Sequence, residues 1–344
     1  MQHPRDVLLG AQAASGLLPV CDHYSGVPAR MRKSLALQRA MTAEFGACVF
    51  DVTLDCEDGA PVGGEREHAQ LVVDLVREAM AQAEAGDVPV DLRPRIAVRV
   101  HPVDHASFQS DVDTVVAGAG PWLCHLMLPK VESVADVERA VAAIDHAAAD
   151  VAGRRLPLHV LLESPAAVHR AFDIAAHPRV QSISFGLMDF VSSHGGAIPA
   201  HGMSGSGQFS HPLVVRAKLE IASACHAHGK APSHCVVTEL RDAQAIEKAA
   251  RIAAAEMGFT RMWSIHPDQI RPILAAFAPS AADIAQAADI IDRAQAAHWA
   301  PIDHQGQLHD RASYRLYWQV LERAHRTGQD LPDSATRLFS ASLQ

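Results

Sequence analysis

Short apolar runs of strand length alternate with amphipathic stretches along most of this sequence. Eight of these runs have the length and composition of buried strands, and most are followed by apolar positions that recur with a helical period. The eight runs, in chain order, are LLPVCD, ACVFDVTLDCED, RIAVRV, HLMLPK, LPLHVLLE, VQSISFGLMD, HCVVTEL and RMWSIHP. Eight strands with helices between them predict an α/β fold, a TIM (β/α)8 barrel.

The strand pattern leaves one alternative fold, an open doubly wound sheet. No glycine-rich phosphate fingerprint follows an early strand, which disfavours that alternative. Because a barrel typically needs ~250 residues, we predict a catalytic barrel domain over 1–280. Two further helical stretches, SAADIAQAADIIDRAQAAHW and RASYRLYWQVLERAHR, predict a C-terminal helical extension over 281–344. We expect this extension to contact a neighbouring subunit.

One strand–helix–strand unit, LPLHVLLESPAAVHRAFDIAAHPRVQSISFGLMDF, organises the predicted site. Ser164 is a natural helix cap, and Pro165 suits the first helical turn. The two strands are parallel neighbours ~5 Å apart, which places Glu163 and Asp189 together at their carboxyl ends. Two carboxylates that close repel each other unless a proton or a cation lies between them. Such an oxygen-only pair suits Mg²⁺; two solvated strand ends are the alternative.

Polar residues also end the other predicted strands. Arg99 lies in the apolar run RIAVRV, where a charge costs several kcal/mol unless it is paired or faces a polar mouth. A guanidinium presents a planar fork to carboxylates, so we predict that Arg99 binds substrate; a structural pair with an acid such as Glu57 is the alternative. Asp55, Glu57 and Asp58 end the second strand, and we expect them to orient Arg99 and metal-bound water.

The segment Ser192–His211 is rich in glycine and serine and directly follows the predicted metal ligands. A long loop at the carboxyl end of a barrel strand is typical of a substrate-covering lid. A surface excursion without a function is the alternative. Its position therefore favours a mobile cover for the barrel mouth.

Composition and charge limit the classes of partner. A net charge of −9 provides no basic surface for nucleic acid. The six cysteines form no CxxC pair, and buried free thiols in a reducing cytoplasm are the best interpretation. We find neither a signal peptide nor a stretch long enough to span a membrane. These features predict a cytoplasmic protein that acts on small molecules.

An ordered set of motifs resembles the HpcH/HpaI aldolase and citrate lyase family, in particular its citrate lyase beta-subunit and malyl-CoA lyase branch. The motifs are LDCEDGAP, RVHP, LPKVES, LLES, FGLMD, VVRAK and IHPDQI, which span about 48–280. The resemblance implies a TIM barrel in which Glu163 and Asp189 hold Mg²⁺. It also implies that Arg99 grips the 2-oxo acid part of the substrate, and that the protein forms a homo-trimer or homo-hexamer.

The resemblance extends to further site residues. It implies that Asp310, in the segment GQLHDRASYR, reaches into a neighbouring subunit's barrel mouth as the general acid/base, whereas a helix cap is the alternative. We count Glu57 and Asp58 with the catalytic residues. The sequence departs from the usual family pattern in two places, because His101 stands for Asn, and Arg261 and Met262 replace the Gly-Lys that commonly precedes IHP. The remaining predicted substrate-binding residues are His101, Gly186, Leu187 and Met188.

The predicted function is a Mg²⁺-dependent carbon–carbon lyase. Its substrate would be a 3-hydroxyacyl thioester of the malyl-CoA or citryl-CoA type, and its products an acyl-CoA and a 2-oxo acid. One alternative is a pyruvate-type aldolase that acts on a free hydroxy-oxo acid without coenzyme A. A non-catalytic subunit of a lyase complex is an alternative from another class. Since one barrel can host any of these activities, the fold does not decide between them.

Overall fold

Eight parallel strands close into a barrel in the computed structural model of this protein, which describes residues 3–9, 18–149 and 155–340. Each strand pairs with the next along the chain, and the eighth pairs with the first. The predicted TIM (β/α)8 barrel is therefore confirmed. The strands are β1 (Cys21–Ser25), β2 (Phe50–Asp55), β3 (Ile96–Arg99), β4 (Leu123–Leu128), β5 (Leu158–Leu162), β6 (Val180–Phe185), β7 (Ala231–His234) and β8 (Arg261–Ser264).

At least one helix follows every strand, as the alternating pattern predicts. The Oγ of Ser164 accepts a hydrogen bond from the backbone N–H of Ala167 at 3.0 Å, which confirms the predicted cap. Among the described residues, no single helix is long and apolar enough to cross a membrane. One bent pair of helices in the same residues, Pro267–Phe277 and Ala281–Ala296, reaches the required length and apolar character when the two are taken together. The helices that follow the strands are α2 (Pro28–Phe45), α3 (Glu65–Ala85), α4 (Phe108–Ala119), α5 (Val134–Ala147), α6 (Pro165–His169), α7 (Ala171–Ala176), α8 (Leu187–Ser192), α9 (Pro212–Ala227), α10 (Ala243–Ala255) and α11 (Pro267–Phe277).

Residue contacts divide the chain into two compact units, of which Pro19–Ala276 contains the barrel. The second unit contains the described parts of Met1–Leu18 and Phe277–Gln344, and its core includes Tyr314 and Trp318. This unit contains the predicted C-terminal helices. Its elements are α1 (Pro4–Leu9), α12 (Ala281–Ala296), β9 (Ile302–His304), β10 (Gln307–His309), α13 (Arg311–Arg326) and α14 (Asp333–Ser340).

Two strands differ in position from the runs that predicted them. Strand β1 begins where LLPVCD ends, because its inward positions include the polar Asp22 and Tyr24 and hydrophobicity alone does not reveal it. Strand β7 ends where HCVVTEL begins, and the buried Val237 lies beyond its last residue. Asp189 lies in the first turn of α8 instead of at a strand end. The apolar runs therefore predicted the existence and order of the strands correctly, but they were less accurate for the residues at which the strands begin and end.

Charged residues fill part of the barrel interior. The Nη2 of Arg261 donates to Asp51 Oδ2 at 2.8 Å and lies 3.5 Å from Asp22 Oδ2, and Arg95 Nε donates to Asp51 Oδ1 at 2.6 Å. Arg261, Asp51 and Asp22 are each at most 1% exposed. An apolar cluster of Met127, Leu161 and Trp263, with Tyr24 packed against it, lies nearer the carboxyl ends of the strands. This cluster divides the charged interior from the barrel mouth.

Candidate active site

Glu163 and Asp189 follow two adjacent parallel strands, β5 and β6, on the side of their carboxyl ends. Glu163 follows β5 directly and is buried, and its Oε2 accepts a hydrogen bond from the backbone N–H of Lys130 at 3.0 Å. Asp189 is half-buried in the first turn of α8. The two side chains are close enough for the charge of Asp189 to raise the pKa of Glu163. The structure thus brings together the two predicted metal ligands.

Gly186 lies against Glu163, at the turn between β6 and α8. A Cβ atom at position 186 would lie 2.3 Å from both Cγ and Oε1 of Glu163, so any side chain there would displace the carboxylate. Of the two residues that begin α8, Leu187 is buried, whereas Met188 is 42% exposed. Gly186 therefore makes room for Glu163, and the substrate-binding roles of all three residues remain predictions.

The chemistry of Glu163 and Asp189 fits a divalent cation. Burial, and after it the negative charge of Asp189, raises the pKa of Glu163 to about 8 despite the opposing charges of Arg99 and Lys130. A cation between the two carboxylates would offset this repulsion. Two carboxylates are too few for an all-protein cage, but they suit Mg²⁺, which keeps several waters and takes further oxygens from its substrate.

The raised pKa of Glu163 makes the stability of the metal-free protein depend on pH. Its folded-state value of about 8 lies above the ordinary value of 4.5, so the folded protein binds this proton more tightly than the unfolded chain does. The resulting stability is full below about pH 4.5 and is lost as the pH rises through about 8. We expect the melting temperature of chelator-treated wild-type protein to fall between about pH 5 and pH 8, relative to that of Glu163→Gln. Parallel melting profiles of the two proteins would contradict this assignment.

Arg99 ends β3 and is buried among acidic partners. Its Nε and Nη2 donate to the two carboxylate oxygens of Asp55 at 2.6 and 2.8 Å, and its Nη1 lies 3.0 Å from Glu57 Oε2. Burial alone would lower the pKa of Arg99, but the hydrogen bonds and charge of Asp55 outweigh it and raise that pKa. The ion pair that the sequence left as an alternative is present, and substrate binding by Arg99 remains a prediction.

Lys130 joins the acidic residues after β2 to Glu163. Its Nζ donates to Glu57 Oε1 at 2.5 Å and to Asp58 Oδ2 at 3.0 Å, while its backbone N–H binds Glu163. Lys130 has a φ of 52°, a left-handed conformation that is uncommon for a residue with a side chain. Backbone strain of this kind is often found at functional sites. Glu57 therefore contacts both Arg99 and Lys130, and the exposed Asp58 contacts Lys130.

Tyr24 on β1 is a site residue that sequence reasoning missed. Its hydroxyl oxygen accepts a hydrogen bond from Arg99 Nη2, and the Arg99 Cζ lies 4.6 Å from its ring centroid. The ring also stacks on Trp263, with the centroids 5.5 Å apart. Period-two alternation from Asp22 was the signal that could have placed it inside the barrel. Tyr24 thus helps to fix the guanidinium, and it shares the Nη2 of Arg99 with Asp55.

His101 lies at the rim of the barrel beside α4. Its Nδ1 is 2.6 Å from Asp111 Oδ2, and the same oxygen accepts its backbone N–H at 3.1 Å. The imidazole stacks on His105, with the ring centroids 4.2 Å apart. Burial raises the pKa of Asp111, against the opposing effect of its bonds to His101. These contacts fix the imidazole at the rim, and its role in substrate binding remains a prediction.

A family comparison agrees with this geometry. The model of the family described as HpcH/HpaI aldolase/citrate lyase matches residues 34–267, which is more than half of the chain. The chain belongs to the HpcH/HpaI aldolase/citrate lyase family. The resemblance predicted from the motifs is confirmed, as is the predicted carbon–carbon lyase class, because aldolases and citrate lyases both belong to that class.

Individual proteins of this family are similar over most of the chain. A citrate lyase of Burkholderia xenovorans LB400, known from a crystal structure, is 46% identical with a TM-score of 0.79, and the match covers 98% of this chain and 100% of that one. An L-malyl-CoA/beta-methylmalyl-CoA lyase of Cereibacter sphaeroides is 31% identical over 302 residues, or 83% of this chain and 91% of the relative. The protein CitE of Mycobacterium tuberculosis, solved with magnesium, acetoacetate and coenzyme A, is 22% identical with a TM-score of 0.61 over 89% of this chain and 98% of that one. This last likeness shows the fold alone.

Arg261, one of the departures from the family pattern, lies in the charged barrel interior. The structure also brings His125 and His159 beside Asp22 there, with ligand atoms within 4.8 Å of one another. This cluster resembles a nitrogen-and-oxygen metal site. However, the Arg261 guanidinium already supplies the cation beside Asp22, and an added divalent ion would leave a net positive charge in the barrel. Arg261 therefore neutralises buried acids in the barrel interior and does not belong to the barrel mouth.

Asp310 lies in the second compact unit, where it caps α13. Its Oδ1 accepts backbone N–H groups from Ala312 and Ser313 at 2.9 and 3.3 Å. Ser313 Oγ in turn accepts the backbone N–H of Asp310 at 3.0 Å, which completes a capping box. The alternative that Asp310 caps a helix is confirmed, and its catalytic role remains a prediction that is compatible with a helix N-terminus.

Proposed function

We propose that this protein is a Mg²⁺-dependent lyase of 3-hydroxyacyl thioesters of the malyl-CoA or citryl-CoA type. It would release an acyl-CoA and a 2-oxo acid, or join them in the reverse direction. The observation that carries the proposal is the carboxylate pair Glu163–Asp189 at the barrel mouth, next to the rigidly paired Arg99. The names of the malyl-CoA and citrate lyase relatives support the substrate class.

Glu163 and Asp189 would hold the metal ion in this proposal. When bound, Mg²⁺ supplies Lewis-acid polarisation of substrate oxygens. The backbone N–H of Lys130 fixes the orientation of Glu163, and the close approach of Gly186 restricts it further. Because these contacts are made before substrate arrives, the Glu163 carboxylate needs little reorganisation during the reaction.

Arg99 would bind the carboxylate of the 2-oxo acid part. Asp55 and Tyr24 hold its guanidinium in one plane, which leaves it preorganised to offset negative charge that develops on the substrate. Cleavage requires a base to remove the hydroxyl proton. The carbon–carbon bond then breaks, its electron pair passes to the thioester enolate, and protonation of that enolate carbon completes the acyl-CoA. Proton transfer thus needs a group separate from Arg99, which stays protonated.

The substrate class can be tested by turnover with and without Mg²⁺. We expect L-malyl-CoA, beta-methylmalyl-CoA or citryl-CoA to yield a free 2-oxo acid and an acyl-CoA, and we expect a chelator to stop the reaction until Mg²⁺ is restored. Chromatography of the thioesters and trapping of the oxo acid would measure both products. Cleavage of free hydroxy-oxo acids alone would instead establish the aldolase alternative. Absence of any turnover would favour the non-catalytic subunit.

We further propose that Asp310 of one subunit is the proton-transfer group for the site of its neighbour, in a homo-trimer or homo-hexamer. The proposal predicts complementation between Asp310→Ala and Glu163→Ala proteins, each inactive alone. After subunit exchange, mixed sites would contain both carboxylates and activity would return. Light scattering and native mass spectrometry would verify the oligomer and the exchange. Persistent inactivity after proven exchange would exclude the role in trans.

A further inference from the structure

Lys218 on α9 is fully buried, and among the described residues its ammonium has no carboxylate partner. It donates instead to the neutral amide oxygen Oε1 of Gln208 at 2.7 Å. Its Nζ also lies 4.0 Å from the ring centroid of Phe209, a cation–π contact. Both partners belong to the segment Ser192–His211, which follows Asp189.

These contacts join the segment to the end of β7. Gln208 is completely buried, and its Oε1 accepts a second hydrogen bond from Cys235 Sγ at 3.1 Å. The Phe209 ring stacks on His234, with the centroids 5.3 Å apart and the planes within 4° of parallel. Gln208 Oε1 and the Phe209 ring thus each contact Lys218 on α9 and a residue at the end of β7.

The segment lies at the carboxyl ends of the strands. The backbone N–H of Gly205 donates to Glu239 Oε1, in the loop after β7, at 3.0 Å. Two short 3-10 turns, Ala200–Met203 and Gly207–Phe209, pack closely, since a Cβ at position 207 would lie 1.9 Å from the carbonyl oxygen of His201. The segment predicted as a lid thus has a defined structure after Asp189, and Lys218 contacts its buried end.

A buried ammonium with neutral partners is costly for stability. Burial lowers the pKa of Lys218 to about 8 from its ordinary 10.5. The cost of the buried charge to the free energy of unfolding is therefore at its full size below about pH 8. This cost disappears as the pH rises to 10.5. An apolar side chain of similar length would avoid the penalty. Stability alone does not explain a lysine at this place.

We propose that Lys218 is a positioning residue that holds residues 200–211 in place over the barrel mouth, so that the substrate is enclosed beside Asp189. The enclosure of substrate rests on the proposed function, whereas the attachment of the segment does not. A bond to a charged donor contributes more than one between neutral groups, and Gln208 receives it at the segment's most buried point. Loss of the ammonium would free the segment without opening a cavity in the barrel.

The attachment can be tested with Lys218→Met, which keeps the length of the side chain but removes its charge and donors. We expect hydrogen exchange of residues 200–211, followed by mass spectrometry, to become about tenfold faster, the lower range for loss of a hydrogen bond to a charged group. Lys248→Met, on the exposed face of α10, is the matched control and should exchange as wild type. Unchanged exchange of residues 200–211 in Lys218→Met would overturn the proposal.

Kinetics and stability distinguish a positioning residue from one that only supports the fold. We expect Lys218→Met to raise KM for the thioester about tenfold with a smaller change in kcat, while its melting temperature at pH 7 equals or exceeds that of wild type. The rise in wild-type stability between about pH 8 and pH 10 should vanish in this variant. A lower melting temperature with faster exchange throughout the barrel would overturn the proposal in favour of a core role.

A second variant keeps the test decisive if Lys218→Met does not fold. Gln208→Glu has nearly the same shape and gives Lys218 a carboxylate partner, so we expect residues 200–211 to exchange more slowly than in wild type. Faster exchange in Gln208→Glu would contradict the attachment. Failure of every thioester to react in wild-type protein would refute the proposed function, and the exchange measurements would still decide the role of Lys218.

Discussion

Glu163→Gln is expected to lower kcat/KM by about a thousandfold, because metal-ion catalysis contributes several kcal/mol and each 1.36 kcal/mol is tenfold in rate. The amide keeps the shape of the side chain but removes the negative charge that a cation requires. It also removes the repulsion with Asp189, which together with burial raises the pKa of Glu163. The metal-free variant should therefore be at least as stable as wild type above pH 8.

Calorimetry would show whether Glu163→Gln has lost its metal. We expect wild-type protein to bind Mg²⁺ in the presence of a 2-oxo acid, and Glu163→Gln to show no such binding. Glu132→Gln is the matched control, since Glu132 is an exposed acid whose Oε2 accepts Ser164 Oγ at 2.8 Å. Normal turnover of Glu163→Gln, or equal losses in both variants, would refute the assignment of Glu163.

Arg99→Lys is expected to fold but to lose about a hundredfold to a thousandfold in kcat/KM, the range for removing one preorganised donor. A lysine keeps the positive charge beside Asp55 and Glu57, so neither carboxylate is left in the protein without a cation. It cannot reproduce the planar fork that now binds both oxygens of Asp55 and also reaches Glu57. The loss should therefore be larger for activity than for stability.

Two further variants separate the effect of Arg99 on activity from its effect on stability. Arg99→Met would leave the buried Asp55 without its cation, whereas Glu57 keeps Lys130, and we expect it to lose about 3–5 kcal/mol of stability, as broken buried pairs do. Arg139→Lys is the control, because Arg139 is an exposed residue with ion pairs to Asp104 and Asp136. Wild-type turnover by Arg99→Lys would show that Arg99 supports the fold and does not act on substrate.

The barrel was predictable because most of its strands are buried apolar runs with helices between them. Strand β1 was harder to locate, since its inward positions include the polar Asp22 and Tyr24, which break the apolar pattern. Strand β7 was displaced in the prediction because the apolar Val237 lies past its paired residues. Hydrophobicity thus identifies buried backbone, whereas strand ends depend on pairing with neighbours that are distant in sequence.

Site residues were predictable where a charge ends an apolar run, as Glu163 and Arg99 do. Tyr24 was not predicted because its role depends on a contact with Arg99, which lies on a different strand, β3. Lys218 did carry a local signal, since it lies on the same helical face as Val214 and Ile221, which are both buried. What the sequence could not supply is its partner, because Gln208 lies in a segment with no regular hydrophobic period.

The buried Arg261 has a consequence for how the barrel closes on itself. Strand β8 must join β1 in one alignment, and a shift of one residue would turn every side chain of β8 to the opposite face. Arg261 would then leave Asp22 without a guanidinium and Asp51 with Arg95 alone, and the apolar Met262 would face them instead. Misaligned closure would leave the buried Asp22 unneutralised, whereas correct closure places Arg261 beside it. Charge pairing thus favours the correct register between β8 and β1, the pair of strands that closes the barrel.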